Sequence, residues 1–238
     1  MTSFTLKWIA MLSMLIDHIG FALVPGGTPA YYVCRAIGRM AFPLFAFMLA
    51  EGFFYTKDVR KYLLRLSAFA VASELPFDWL LYGSLSDMRR QNVLLTLVIA
   101  LLGMWMFDGF AARGMKWAAL LSMLAAGAAG VLTSADYGAF GVLLVFIFYR
   151  YRGERRVMAA WFSVAVLLYS AMTALPAPPA GRVAAADALL MSFALFALAP
   201  ILLYNRSRGY DSRFLRYFFY VFYPAHMALL CAIRDFIV

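Results

Sequence analysis

Two adjacent polar side chains, Asp17 and His18, interrupt an apolar run that begins near Lys7 and ends at Val24. A charged residue at the centre of a bilayer costs about 2.5 to 3.5 kcal/mol on insertion scales, so such residues usually face a cavity or a partner. An imidazole titrates near neutral pH and is the most common proton-transfer group in enzymes. The pair therefore indicates a buried polar site at which a group or a proton is transferred.

Two further polar residues are predicted at comparable depth. With a helix rise of 1.5 Å per residue, His18 lies about 16 Å and His226 about 13 Å into helices that run in the same direction. These are the only histidines of the sequence. Glu74 lies about 18 Å into another predicted helix, where Pro76 weakens the helix and frees backbone groups. We expect Glu74 to be the acidic companion of the two histidines.

Structural roles stay open for each of these residues. Asp17 can neutralise His18 or pair with Arg39, and His226 can be a hydrogen-bonded core residue. Glu74 can pair with Arg39 or with the backbone. Further polar residues are predicted at outer helix ends or in outer loops, and they are Arg39, Gln91, Asn92, Asp136 and Tyr137. Glu51 is predicted nearer the cytoplasmic end of its helix, where it reaches lipid headgroups or Arg60.

The composition predicts an integral membrane protein. Of the 238 residues, 65% are hydrophobic and 14% are charged, whereas an ordinary soluble domain is about 45–50% apolar and about 25% charged. The mean hydropathy is +0.81. These values exclude an ordinary soluble domain, and we expect a single integral membrane domain over residues 1–238.

Apolar runs long enough to cross a bilayer recur along the whole chain, since a crossing needs about 20 apolar residues. We predict an all-α polytopic fold with about nine transmembrane helices. They span Leu6 to Val24, Arg35 to Phe54, Tyr62 to Leu81, Val93 to Phe107, Trp117 to Thr133, Gly138 to Tyr149, Met158 to Leu175, Ala186 to Leu203 and Tyr217 to Ile237. The sixth run is short and can be a tilted half-helix buried among its neighbours.

The basic residues predict the orientation, because Lys and Arg concentrate in short cytoplasmic loops. With nine crossings, fifteen of the 21 basic residues fall on one side: Lys7, Lys57, Arg60, Lys61, Arg65, Arg113, Lys116, Arg150, Arg152, Arg155, Arg156, Arg206, Arg208, Arg213 and Arg216. The other side holds Arg35, Arg39, Arg89, Arg90, Arg182 and Arg234. We therefore predict a cytoplasmic N-terminus and a C-terminus outside. This topology accounts for most of the net charge of +9 without nucleic-acid binding.

The residues alone leave several function classes open. A base at the middle of the membrane suits group transfer between a cytoplasmic donor and an outer acceptor, and it equally suits proton relay in a transporter. Metal binding is disfavoured, because the histidines lack the helical spacing of a metal-binding pair. The phosphate-binding, dinucleotide-binding and serine-nucleophile signatures of soluble enzymes are missing from the sequence.

A set of short phrases in a fixed order resembles the TraX family over nearly the whole chain. The phrases are Leu15-Ile-Asp-His-Ile-Gly20, Ile37-Gly-Arg-Met-Ala-Phe-Pro-Leu-Phe-Ala-Phe47, Glu51-Gly-Phe-Phe, Tyr62-Leu-Leu-Arg-Leu, Ser73-Glu-Leu-Pro-Phe77, Gln91-Asn92, Asp136-Tyr-Gly138 and Tyr223-Pro-Ala-His226. The name-giving member of that family is required for N-terminal acetylation of the F pilin subunit. Lys7 and His18 are separated by ten residues, a spacing that is remotely similar to the basic-x10-His pattern of membrane acyltransferase family 3.

The resemblance implies a bacterial, multi-pass inner-membrane acyltransferase with acetyl-CoA as co-substrate and no metal. The acceptor would be a pilin N-terminus or an envelope glycan or lipid. His18 would be the base or the acyl carrier, and Asp17 or Glu74 would orient it. Acceptor binding is predicted for Arg39, Asn92, Asp136, Tyr137, Tyr223 and His226. Acyl-CoA binding is predicted for Lys7, Arg150, Arg152, Arg155 and Arg156. A proton-coupled transporter or a membrane assembly factor is the alternative.

Overall fold

The computed structural model describes residues 1–87, 89–174, 189–210 and 212–236, without the side chains of Arg213 and Arg216. Every regular element in these ranges is helical, so the predicted all-α fold is confirmed. Some predicted features lie outside the described residues, namely the end of the seventh span at Leu175, the start of the eighth span at Ala186, the outer Arg182 and the end of the ninth span at Ile237.

Ten α-helices and one 3₁₀ segment make up the described chain. The helices are α1 (Ser3–Leu23), α2 (Pro29–Gly38), α3 (Ala41–Tyr55), α4 (Val59–Tyr82), α5 (Val93–Ala112), α6 (Lys116–Leu132), α7 (Gly138–Arg150), α8 (Arg155–Ala174), α9 (Leu198–Leu202) and α10 (Arg213–Phe236). The 3₁₀ segment Met191–Ala197 leads directly into α9.

Among the described residues, four helical stretches are long and apolar enough to cross a membrane: Ser3–Leu23, Pro29–Tyr55, Val93–Ala112 and Arg155–Ala174. The second of these is α2 followed by α3, with a break at Arg39 and Met40. Helix α7 has 13 residues and a length of about 20 Å, which confirms that the sixth predicted span is short for a bilayer core of about 30 Å. Helix α4 is long, but charges at both of its ends lower its hydropathy.

The helices form two compact units, with the boundary inside α3. The first contains Met1–Phe45 and the described residues after Gly153, and in it α1 packs against both α2 and α10. The second is Ala46–Gly153, where α5 packs against α4, α6 and α7. The predicted single membrane domain stays a prediction.

Local signals in the sequence explain where several helices begin. The side chains of Thr2, Thr28, Asp58 and Asn92 accept hydrogen bonds from the first turns of α1, α2, α4 and α5, respectively. Such caps satisfy backbone N–H groups that have no partner within the helix. Helix α4 ends at Gly83, whose φ of 66° is in the left-handed region that glycine adopts without strain. Asn92 is therefore a helix cap as well as a candidate site residue.

Two glycines let α1 and α2 approach closely. A Cβ atom added at Gly20 would overlap the Cβ of Cys34, and one added at Gly38 would overlap the side chain of Asp17. Small residues at helix interfaces in membranes allow this kind of backbone contact. Gly38 thus provides the space that the Asp17 carboxylate occupies.

We expect Gly38→Ala to lower the melting temperature of the detergent-solubilised protein. Overpacking typically costs about 1–3 kcal/mol, and the overlapped atoms belong to a side chain that is held by ion pairs. The matched control is Gly109→Ala in α5, where an added Cβ meets no atom within 4 Å. Equal melting temperatures for the two variants would show that the close approach at Gly38 does not constrain the fold.

Candidate active site

The two histidines of the sequence are hydrogen-bonded to each other in the first unit. His18 on α1 and His226 on α10 place Nδ1 and Nε2, respectively, 2.7 Å apart. The Nδ1 atom of His226 lies 2.6 Å from the carbonyl oxygen of Phe222, one turn earlier on α10. His226 is 5% exposed. The structure thus brings together two residues that are 208 positions apart, at the common level that helix rise predicts.

Aromatic rings surround this histidine pair. The ring of Phe222 is nearly parallel to that of His226, with centroids 4.8 Å apart. Tyr223 is buried, and its ring centroid is 6.5 Å from that of His18 and 6.0 Å from that of His226. The pair therefore lies in largely apolar surroundings, where hydrogen bonds are stronger than in water.

Asp17, the neighbour of His18 in the sequence, is held by two arginines of α2. Arg35 Nη1 lies 2.7 Å from Asp17 Oδ2, and Arg39 Nη2 lies 3.0 Å from Asp17 Oδ1. Arg39 also contacts the sulfur of Met191 at 3.6 Å. The pairing of Asp17 with Arg39 is one of the two alternatives open from the sequence, and no hydrogen bond joins Asp17 to His18 in the described chain.

Arg35 is a site residue that sequence reasoning missed, because it was interpreted only as an outer topology charge. Its spacing of four residues from Arg39 is the signal that could have found it. Residues at i and i+4 lie on one face of a helix, so both guanidinium groups can reach a single carboxylate.

Glu74 and Asn92 meet in the second unit. Glu74 Oε2 accepts hydrogen bonds from both the backbone N–H and the side-chain amide of Asn92. The same amide nitrogen donates to the carbonyl of Ala70 at 2.8 Å, and Asn92 is fully buried. Asn92 thus links α4 to the start of α5.

Asp136 and Tyr137, which are also predicted for acceptor binding, lie in the same unit. Asp136 pairs with Arg90 at 3.6 Å, and the backbone N–H of Tyr137 donates to the hydroxyl of Thr96. A single bridge between Gln91 and Ala135 joins the segments that precede α5 and α7. Contacts within this unit therefore hold Gln91, Asp136 and Tyr137 in place.

Asp78 is a second residue that sequence reasoning missed. It lies one turn after Glu74 on α4 and is 2% exposed. One of its oxygens accepts the backbone N–H of Asp87 at 2.8 Å, whereas Oδ1 is buried without a hydrogen-bond partner in the described chain, as is Glu74 Oε1. A hydrogen bond from Arg89 holds the pKa of Asp87 below its ordinary value. Two partly unsatisfied carboxyl groups therefore lie on one face of α4.

The arginines predicted for acyl-CoA binding have different surroundings. Arg152 forms an ion pair with Glu51 at 2.6 Å, and its guanidinium lies 4.5 Å from the ring centroid of Phe54. Arg155 donates to the carbonyl oxygens of Leu202 and Tyr204. These contacts give Arg152 and Arg155 structural roles within their own units.

Arg150, Arg156 and Lys7 complete the set of basic residues predicted for acyl-CoA binding. Arg150 lies beside the ring of Tyr151, and Arg156 is exposed. Lys7 lies over the ring of Phe219, 5.2 Å from its centroid. Among the residues that the structure describes, no group of three or more His, Cys, Asp or Glu side chains is placed to hold a metal ion.

The fold and the site define an all-α protein with membrane-length helices and a hydrogen-bonded histidine pair. The TraX protein family model matches residues 3–234, so the chain belongs to the TraX family. A probable fimbrial assembly protein FimC, serogroup H1, from Dichelobacter nodosus is 30% identical over 256 aligned positions, covering 99% of this chain and 97% of that protein. No solved structure matches the chain.

Replacement of Asp17 by Asn should destabilise the first unit, because it leaves two buried arginines with a neutral partner. Breaking a buried ion pair costs about 3–5 kcal/mol, and we expect the lower end because the three side chains keep 12% to 20% of their exposure. The measurement is thermal unfolding in detergent. The control is Asp58→Asn, which keeps a helix cap and alters only an exposed pair with Lys61. An unchanged melting temperature for Asp17→Asn would remove the structural role of this cluster.

Proposed function

We propose that this chain is a membrane-embedded acyltransferase that moves an acetyl group from acetyl-CoA to an amine or hydroxyl acceptor, with His18 as the catalytic residue. The observation that carries the proposal is the part-buried hydrogen bond between His18 and His226. It leaves His18 Nε2 without a hydrogen-bond partner in the described chain. Membership of the TraX family and the fimbrial assembly name of the relative support a pilin N-terminus as acceptor. An envelope glycan or lipid is the other acceptor class.

The reaction on an amine is balanced without a further reactant. The amine nitrogen attacks the thioester carbon, the new N–C bond forms and the C–S bond breaks, so that CoA leaves as a thiolate. His18 Nε2 accepts the proton that the nitrogen loses and passes it to the thiolate sulfur. The products are the N-acetylated acceptor and the free thiol of CoA. General-base catalysis of this kind contributes about 10² to 10⁴ in rate.

The donor is proposed to enter from the cytoplasmic side, where phosphates of CoA meet basic residues. The roles of Lys7, Arg150 and Arg156 in binding the donor stay predictions, while Arg152 and Arg155 already hold protein groups. A flexible pantetheine arm would then span the 13 to 16 Å to the histidine level, a distance of about ten residues of helix rise. The acceptor roles of Arg39, Asn92, Asp136, Tyr137 and Tyr223 stay predictions.

The proposal requires a defined place and orientation in the cell. We place the chain in the bacterial cytoplasmic membrane with nine crossings, a cytoplasmic N-terminus and an outer C-terminus, as the distribution of basic residues favours. The four membrane-length helical stretches support a multi-pass protein.

Cysteine labelling in intact cells checks this orientation. Asp136→Cys and a cysteine added after Val238 should both react with a membrane-impermeant maleimide, whereas Arg113→Cys should react only after lysis. The background protein has Cys34 and Cys231 replaced by Ala. Protection of the C-terminal cysteine in intact cells would mean that the number of crossings is even and that the orientation is wrong at one end.

Loss of the imidazole should abolish acyl transfer. We expect His18→Ala to lose at least 10²-fold of the label transferred from radiolabelled acetyl-CoA to an envelope extract or a pilin N-terminal peptide. The matched control is Leu12→Ala on the same helix, which is 51% exposed and outside the site. Equal melting temperatures of the two variants would exclude unfolding, and normal labelling by a folded His18→Ala protein would overturn the assignment.

A proton-coupled transporter is the second candidate, and the carboxyl groups on α4 favour it. Glu74 and Asp78 each bury an oxygen without a hydrogen-bond partner in the described chain, as protonatable groups of a relay would. Binding of acetyl-CoA separates the two candidates, since a relay has no need of the nucleotide. An increase in melting temperature with acetyl-CoA supports the acyltransferase. The transporter is supported if acetyl-CoA gives no such shift and if the protein takes up protons in a way that Asp78→Asn abolishes.

A further inference from the structure

We propose that His226 is a positioning residue that fixes the tautomer of His18, holding the proton on Nδ1 and leaving the lone pair of Nε2 free to react. The catalytic meaning of this inference rests on the proposed function, whereas the tautomer itself follows from the hydrogen-bond geometry of two neutral rings. It gives His226 a different role from the acceptor binding predicted from the sequence.

The carbonyl group of Phe222 determines the tautomer of His226. A carbonyl oxygen only accepts hydrogen bonds, so His226 Nδ1, which lies 2.6 Å from it, must carry a hydrogen. A neutral imidazole has one protonated and one unprotonated nitrogen. His226 Nε2 is therefore an acceptor, and it is turned away from the backbone of its own helix.

The acceptor role of His226 Nε2 determines the tautomer of His18. His18 Nδ1 lies 2.7 Å from His226 Nε2, so it is His18 that donates. The planes of the two rings differ by 4°, and the 2.7 Å distance is shorter than the separation of about 3.5 Å at which atoms of stacked rings touch. The rings consequently meet edge to edge, with the His18 N–H directed at the lone pair of His226. His18 Nε2 is then the unprotonated nitrogen.

The neighbouring carboxylate does not compete for this role. Asp17 adjoins His18 in the sequence, but its two oxygens accept from Arg35 and Arg39. The orienting partner is therefore a neutral imidazole backed by a backbone carbonyl. When His18 Nε2 accepts a proton, the Nδ1–H bond to His226 strengthens, because a cationic donor forms a stronger hydrogen bond than a neutral one.

The arrangement has two consequences for reactivity. The free Nε2 atom is always in the form that a base or nucleophile requires, so no tautomer exchange precedes the reaction. The neutral partner also adds no negative charge to a site inside the membrane, where a further carboxylate would need its own counter-charge. The wrong tautomer in a comparable histidine site lowers turnover by about 10⁴.

The tautomer can be read directly by nitrogen NMR, because the chain contains only two histidines. Protein labelled with ¹⁵N-histidine in nanodiscs should give two imidazole spin systems, and we expect both to have a protonated Nδ1 and an unprotonated Nε2. A coupling across the hydrogen bond between His18 Nδ1 and His226 Nε2 would identify the pair. This measurement needs no substrate, so its outcome is independent of the proposed activity.

Two replacements of His226 separate positioning from packing. His226→Gln keeps an acceptor oxygen near the position of Nε2, whereas His226→Phe fills the space with a ring that has no acceptor. In each variant His18 gives the only histidine signal. We expect the Nδ1-protonated form to persist with Gln and to give way to a mixture rich in the Nε2-protonated form with Phe.

The activity of the same variants supplies the second readout. His226→Phe should lower kcat by about 10²-fold or more with the KM for acetyl-CoA unchanged, while His226→Gln should stay within about tenfold of the parent. Nε2-protonated His18 in the parent protein, or the same tautomer in the Gln and Phe variants, would overturn the inference. If the tautomers are as expected and no variant, parent included, transfers acetyl groups, the proposed function fails and the positioning role remains.

Discussion

The first unit depends on the burial of one negative charge, that of Asp17. An isolated carboxylate in an apolar environment is too costly to persist, so it has to be matched by nearby donors and positive charge. Arg35 and Arg39 provide both, from successive turns of α2. They can do so only because Gly38 lets α2 approach α1 closely enough to enclose the carboxylate. The close packing of α1 and α2 and the neutralisation of Asp17 are thus one interaction.

This interaction also determines what His18 is free to do. In the described chain the Asp17 carboxylate bonds to Arg35 and Arg39, and the adjacent imidazole bonds instead to His226 on α10. The two polar residues that stand together in the sequence therefore belong to different networks. One network is ionic and holds two neighbouring helices together, and the other is neutral and joins the first helix to the last described one.

Much of the helical architecture could be predicted from the sequence, because apolar run length and helix caps are local properties. The brevity of α7 and the common depth of His18 and His226 are examples. The break at Arg39 and Met40 could not be predicted, since it lies within an apolar stretch. The partners of Arg35 and Asp78 could not be predicted either. Which neighbours these charged side chains meet depends on the rotation of their helices about their axes, which the sequence does not give. Hydropathy gives the depth of a residue, and only packing gives the direction that it faces.

The sequence separation between partners is short in the ionic network and long in the histidine network. This difference affects the order in which the two networks can form during synthesis. The partners of Asp17 follow it by 18 and 22 residues, whereas the partner of His18 follows it by 208. Contacts between near neighbours form before those that close a long loop. During synthesis, α1 and α2 can therefore pair early, with the negative charge of Asp17 already matched by Arg35 and Arg39. The hydrogen bond of His18 can form only after the last described helix has been made, so the ionic network can be complete while the histidine pair is still absent.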